Sequence, residues 1–202
     1  MTHSRIGVMG GSFDPIHHGH LVAASEVAHR FSLDRVLFSP TGQAWHKQSA
    51  NAASPELRYL MTVVATAGDP RFDVTRVDID RPGPTYTVDT LRDLQAGFGR
   101  AHPQDTADWF FITGADALAE VVAWRDPDGI LERAHLIGVT RPGHVLRDPG
   151  LAAGSATLVE VPALAISSTD VRARVARGEP IGYLVPDGVA HLIAKHRLYA
   201  AP

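Results

Sequence analysis

Residues 5–20 read RIGVMGGSFDPIHHGH. The run Arg5–Met9 is short, apolar and rich in β-formers, which predicts a buried strand. The segment after it, LVAASEVAHRF (21–31), places Leu21, Ala24, Ala28 and Phe31 three or four apart and predicts a helix. Three glycines, a serine, an Asp-Pro pair and three histidines stand between them. Gly10 and Gly11 permit close backbone approach and φ values that other residues resist. Amides exposed in such a turn, followed by a helix N-terminus, suit a phosphate. His17 and His20 flank the helix start, and Gly19 leaves room between them. Imidazole N–H groups can donate to phosphate oxygens; as cations they would also offset charge developing on a pyrophosphate leaving group. Ordinary turn punctuation with surface histidines accounts for any one of these residues, and less well for the whole cluster at a strand-to-helix junction.

Two other phosphate motifs fail on spacing. A dinucleotide fingerprint needs G-x-G-x-x-G, and Gly7, Gly10 and Gly11 are wrongly placed. A P-loop needs a lysine after its last glycine, and this turn has none. Zinc could use His17, His18 and His20, but no H-E-x-x-H motif or cysteine partner supports it.

Outward from the turn, strands alternate with helices. RVLFSP (35–40) predicts the next strand, and residues 41–53 read as an exposed polar loop. In SPELRYLMTVVATAGDP, Ser54 suits an N-cap and Pro55 the first helical position. Leu57, Leu60, Met61 and Val64 form the apolar stripe, with Gly68 and Pro70 as the stop. RFDVTRVDID (71–80) alternates like a half-exposed strand. TYTVDTLRDL predicts a helix after RPGP. DWFFITG, HLIGVTRPG and TLVEV predict three more strands, and SSTDVRARVARG and VPDGVAHLIAKHRLY two closing helices. The alternation points to a single α/β domain over residues 1–202, a Rossmann-like parallel sheet with helices on both faces. Ligands of such sheets bind beyond the carboxyl ends of the strands. GGSFDPIHHGH, TGADAL and TRPG each follow a predicted strand, so they can share one crevice.

Composition narrows the function classes. The 202 residues carry 19 Lys+Arg against 22 Asp+Glu, a formal charge of −3, so a broad nucleic-acid surface is disfavoured. Cysteine is absent, which removes disulfides, thiolate metal sites and a cysteine nucleophile. No apolar run reaches membrane-spanning length, and the N-terminus has no long apolar signal core. These features lead us to expect a cytoplasmic protein with no membrane and no nucleic-acid partner. They leave its state, monomer or homo-oligomer, open.

ISSTDVRAR opens a helix near the other end of the chain. Ser167, Ser168 or Thr169 can cap it, with Asp170 in its first turn. Arg172 lies in or near that turn, where a cation opposes the helix dipole unless an anion sits between them. Hydroxyls, free amides and a guanidinium make a clamp for a polyphosphate. A normal cap followed by an exposed arginine is the alternative.

GGSFDPIHHGH resembles the G-x-F-x-P-x-H-x-G-H signature of the nucleotidyltransferase superfamily, and ISSTDVR resembles its second signature, I-S-S-T-x-x-R. The pair, in this order and roughly 150 residues apart, is far more specific than either half. TYTVDTL, GADAL, Trp124, TRPG and the closing YLVPDGV…HRLY are similar to one branch, the bacterial nicotinate-nucleotide adenylyltransferases. The resemblance runs from Arg5 to Tyr199. It implies transfer of the AMP part of ATP to nicotinic acid mononucleotide, giving nicotinic acid adenine dinucleotide and pyrophosphate in NAD synthesis. It also implies Mg²⁺ carried by the phosphates, with no protein metal ligand. Gly10, Gly11, Ser12 and Phe13 would place backbone beside the reacting phosphates. His17 and His20 would stabilise the α-phosphate and the departing charge. Ile166, Ser168, Thr169 and Arg172 would hold ATP, the last three at its β- and γ-phosphates. Gly114 and Asp116 would also contact ATP, Asp116 at a ribose hydroxyl. Lys47, Thr87, Trp124 and Arg141 would lie near the mononucleotide, with Trp124 stacked on the pyridine ring. Thr87 and Asp116 could instead be helix caps, and Trp124 core. The family often has Pro-Pro-His-Lys after its second strand. Here His46 and Lys47 match while Ala44 and Trp45 replace the prolines; Trp45 could cover the pyridine ring or pack locally. Pantetheine-phosphate adenylyltransferases and cytidylyltransferases share the signatures, but the former usually have threonine at the first histidine position. A nucleotide-binding protein without catalysis is the alternative of another class.

Overall fold

The computed structural model describes residues 1–43, 52–140, 151, 154–162 and 165–201. Its six strands are β1 (His3–Gly11), β2 (Arg35–Pro40), β3 (Phe72–Val74), β4 (Thr106–Gly114), β5 (His135–Thr140) and β6 (Ala156–Glu160). Between and after them come α1 (His18–Arg30), α2 (Pro55–Thr66), α3 (Thr87–Ala101), α4 (Ala115–Leu118), α5 (Pro127–Leu131), α6 (Ser168–Ala176) and α7 (Asp187–Lys195). All the strand pairings are parallel, in the order β3-β2-β1-β4-β5-β6. Side chains alternate across the sheet, as the two-residue period of a strand requires. Phe110 and Ile112 of β4 join one apolar cluster while Phe111 between them joins another. The first cluster holds residues of α1, α2, α6 and α7, the second residues of α3, α4 and α5, so helices cover both faces. Among the described residues, no helix is long and apolar enough to cross a membrane.

The order reverses between β1 and β4. Their pairing ends at Met9↔Ile112, while β1 stays paired with β2 as far as Gly11↔Pro40, and β4 with β5 as far as Gly114↔Val139. The two central strands therefore part at their carboxyl ends, between Gly10–Gly11 and Gly114. A strand-order reversal of this kind is where parallel sheets bind ligands.

Three expectations need correction. Only Phe72–Val74 of the 71–80 run is strand. Beyond it the chain turns, because the Asp78 carboxylate is buried and accepts from the hydroxyls of Ser39 and Thr90, both at 2.7 Å. Burial raises the Asp78 pKa. The apolar stripe of α2 is also displaced. Leu60 and Val64 are 41% and 38% exposed, while Arg58, Met61, Thr62 and Thr66 form the buried face. The 41–53 loop, whose residues 44–51 lie outside the described residues, has buried ends at Gly42 and Ala53. Gly42 packs directly on the main chain of Asp78. The expected punctuation of α2 and α6 is found: Ser54 accepts from the Leu57 N–H, Ser167 accepts from the Asp170 N–H, and Gly178 follows α6 at φ 70°.

Candidate active site

The turn after β1 is built differently from a glycine-driven loop. Neither Gly10 nor Gly11 has a positive φ; the left-handed residue is Phe13, at φ 47°. The glycines make room for rings. A Cβ on Gly10 would lie 3.1 Å from the Phe111 ring, and one on Gly11 3.1 Å from the Phe13 ring. Phe13 is buried, its ring centroid 5.8 Å from that of Phe38 and 5.1 Å from that of His20, the latter pair edge to face. A bulky side chain at that φ costs roughly 1–2 kcal/mol, so its surroundings have to hold it there.

His17 caps α1 and His20 sits in its first turn, their rings stacked 3.7 Å apart. The His17 N–H donates to His20 Nδ1 at 3.2 Å, which leaves the neutral ring's proton on Nε2. His17 Nδ1 is buried and has no hydrogen-bond partner among the described residues. A Cβ on Gly19 would stand 3.0 Å from that nitrogen, so the glycine gives the ring its space. Burial, with the neighbouring His18, lowers the His17 pKa to about 4, and burial with His17 lowers that of His20. In the free protein both rings are neutral near pH 7. Each neutral ring carries one N–H that can donate to a phosphate oxygen.

The depressed pKa ties stability to pH. Between about 6.5 and about 4 the unfolded chain holds a proton at His17 that the folded chain lacks. Stability therefore falls as pH drops through that window, by about 3 kcal/mol from His17 alone. Urea unfolding at pH 7 and pH 4.5 should show this loss, and His17→Gln should shrink it. Equal pH sensitivity in the two proteins would mean that His17 does not carry it.

The start of α6 closes on the turn from 150 residues away in sequence. The Ser168 hydroxyl donates to the Pro15 carbonyl at 2.9 Å. Arg172 donates through Nη1 to the Asp14 carbonyl at 2.6 Å and through Nη2 to Thr169 Oγ1 at 3.3 Å. Ser167 is the cap, so the N–H groups of Ser168 and Thr169 begin the helix with no intrahelical acceptor. The Ile166 carbonyl would lie 3.7 Å from a Cβ on Gly19. Two helix N-termini, two neutral imidazoles and one guanidinium thus gather at the turn that follows β1. Such an arrangement neutralises a polyphosphate along its length.

On the β4 side, Gly114 ends the strand and is the N-cap of α4, and Asp116 is exposed in the first turn. Asp116 is therefore not the cap. Nor is Thr87, which is the first residue of α3 behind Tyr86 at the N-cap. Trp124 follows a 3-10 turn, Val121–Ala123, is half-buried, and packs edge to face with Phe111, ring centroids 6.1 Å apart. Lys47 and Arg141 lie outside the described residues. Trp45 does too.

Sequence reasoning missed several residues here. Arg125 lies over the Tyr86 ring at 4.7 Å and ties the 3-10 turn to the start of α3. Thr85 Oγ1 beside it is buried without a hydrogen-bond partner among the described residues. Asp14 is buried and accepts through Oδ1 from the Ala53 N–H at 3.0 Å and the Tyr199 hydroxyl at 2.6 Å. Arg58, also buried, donates to the carbonyls of Ser12, Thr41, Gly42 and Ala53 at 2.6, 2.6, 3.0 and 3.3 Å. The only sequence signal for Arg58 is its helical spacing from Met61, Thr62 and Thr66.

The cytidylyltransferase-like family pattern matches residues 8–174. A protein of Streptomyces coelicolor, named a probable nicotinate-nucleotide adenylyltransferase, is 64% identical over 191 residues, 95% of this chain and 98% of its own. A protein of the same name from Salinispora arenicola is 63% identical over 95% of this chain and 99% of its own. In fold, the chain is similar to the Plasmodium falciparum nicotinic acid mononucleotide adenylyltransferase complexed with NaAD. That match has TM-score 0.72 and 17% identity, and covers 98% of each chain.

Proposed function

The chain belongs to the nicotinate-nucleotide adenylyltransferase family, and from that premise we propose that the gap between β1 and β4 joins the AMP part of ATP to nicotinic acid mononucleotide. The observation that carries this reading is the meeting of two distant segments. Arg172 and Ser168 bond to Asp14 and Pro15 across 158 and 153 residues, beside the His17–His20 pair.

The reaction is an in-line displacement. A phosphate oxygen of the mononucleotide forms a bond to the α-phosphorus of ATP. The bond from that phosphorus to the bridging oxygen of the β-phosphate breaks, and pyrophosphate leaves with the electron pair. No protein nucleophile takes part, so the chain contributes position and charge neutralisation. His20 presents Nε2–H, and His17 a neutral ring, to the α-phosphate as charge shifts toward the leaving group. Gly10 to Phe13 lay backbone along the same phosphates. Ser168, Thr169 and Arg172 hold the β- and γ-phosphates, Ile166 lies with them against ATP, and Gly114 and Asp116 take the adenosine side. Thr87 and Trp124 line the pyridine side, where Lys47 and Arg141 complete the mononucleotide contacts. Magnesium arrives as part of MgATP, held by phosphate and water oxygens. Both substrates are small and soluble, which fits a cytoplasmic enzyme.

Pyrophosphate release with ATP and Mg²⁺ tests this directly, with nicotinic acid mononucleotide, nicotinamide mononucleotide and phosphopantetheine as acceptors in parallel. Release with the first and much less with the second is the expected result. Release only with phosphopantetheine would overturn the substrate; no release from folded, ATP-binding protein would overturn catalysis. Arg172→Ala should raise the KM for ATP about tenfold or more, since it removes a charged partner of the triphosphate. Unchanged ATP KM and kcat would remove Arg172 from the site.

A further inference from the structure

A buried carboxylate beside a triphosphate site is electrostatically awkward: it repels the substrate and competes for the arginine meant to bind it. Asp14 is such a group. Its Oδ2 lies 4.0 Å from Arg172 Nη1, the outer limit of an ion pair, although Arg172 already bonds the main-chain carbonyl of the same residue at 2.6 Å. Something keeps the carboxylate from closing that gap. Its Oδ1 is held by two donors, the Ala53 N–H and, at 2.6 Å, the hydroxyl of Tyr199, 185 residues along the chain.

We propose that Tyr199 is a positioning residue for ATP: its hydroxyl turns the Asp14 carboxylate away from Arg172 and so leaves the guanidinium free to take the triphosphate. Three further features support this. Tyr199 is buried in the apolar cluster that also contains Phe13 and Ile16, so its ring is fixed independently of its hydroxyl. Arg58 bonds the carbonyl of Ser12, two residues before Asp14, and that of Ala53, whose N–H donates to the carboxylate, so Asp14 sits in a held frame. Arg172 has no acidic partner nearer than Asp14 among the described residues, so a released carboxylate would pair with it.

The inference rests on Arg172 being the triphosphate contact, and the experiment separates the two. Tyr199→Phe keeps the packed ring and removes the bond. The bond to the charged carboxylate is worth roughly tenfold or more in an equilibrium, which bounds how far its loss can shift Asp14 toward Arg172. The expected result is a KM for ATP raised about fivefold to twentyfold, with the KM for nicotinic acid mononucleotide unchanged. Adding Asp14→Asn to that variant removes the charge that competes for Arg172 and should bring the ATP KM most of the way back. A purely structural role for Tyr199 would lower the unfolding temperature, leave the ratio of the two KM values alone and show no such recovery. That outcome, or an unchanged ATP KM in Tyr199→Phe while Arg172→Ala is impaired, overturns this inference alone. If Arg172→Ala itself is unimpaired, the reading of the triphosphate contact fails, and this inference with it.

Discussion

Replacing His20 with alanine lowers kcat by about two to three orders of magnitude, the loss typical when one preorganised donor to a developing oxyanion is removed. The site explains why the effect falls on kcat. Charge moves onto the bridging oxygen only as the α-phosphate transfers, so a neutral N–H aimed there stabilises the transition state more than the bound ATP. Stability should change little by comparison, because among the described residues His20 makes one side-chain hydrogen bond, accepted from the His17 N–H, one stacking contact with His17 and one edge contact with Phe13. Steady-state kinetics and urea unfolding on the same protein check both halves. A kcat within a factor of about three of the parent would remove His20 from the chemistry.

The second large effect is on stability. Arg58→Met should lower unfolding free energy by about 3–5 kcal/mol, the range for losing one member of a buried, hydrogen-bonded charged network. Four carbonyls, from Ser12, Thr41, Gly42 and Ala53, lose their shared donor at once. Asp14 loses one of the two positive charges near it. Methionine fits the volume of the aliphatic stem, so packing loss is not the source. Equilibrium urea unfolding measures the change. A loss under about 1 kcal/mol would mean that water or neighbouring N–H groups satisfy those carbonyls instead.

Arg58 also shows where sequence reading stops. The strands that carry the site were legible because RIGVM, RVLFSP, DWFFITG and HLIGVT are apolar runs of strand length, and burial on both faces asks for that pattern. Helix α2 was legible as a helix, from Ser54 and Pro55, but its inner face was not. An apolar period picks out Leu60 and Val64, whereas the buried face carries Arg58, Thr62 and Thr66. The partners of Arg58 are main-chain oxygens, and no residue type at positions 12, 41, 42 or 53 advertises a carbonyl. Strand β3 was overextended for a related reason. Asp78 sits in an alternating pattern, yet its carboxylate turns inward to hydroxyls 39 and 12 residues away. Among site residues, the histidine and ISSTDVR segments were legible from residue type and order. The protonation of His17 and His20 was not, since it depends on stacking and burial that the fold creates.

The separation of β1 from β4 at their carboxyl ends has a consequence for synthesis. The whole histidine segment is synthesised within the first twenty residues. The far wall of the gap, at Gly114, does not yet exist, and Arg172 comes later still. Since a domain generally folds as a unit, a nascent chain bears the whole first signature for most of its translation without a place to bind ATP. A fragment cut before β4 should be equally blind to nucleotide, however intact its motif.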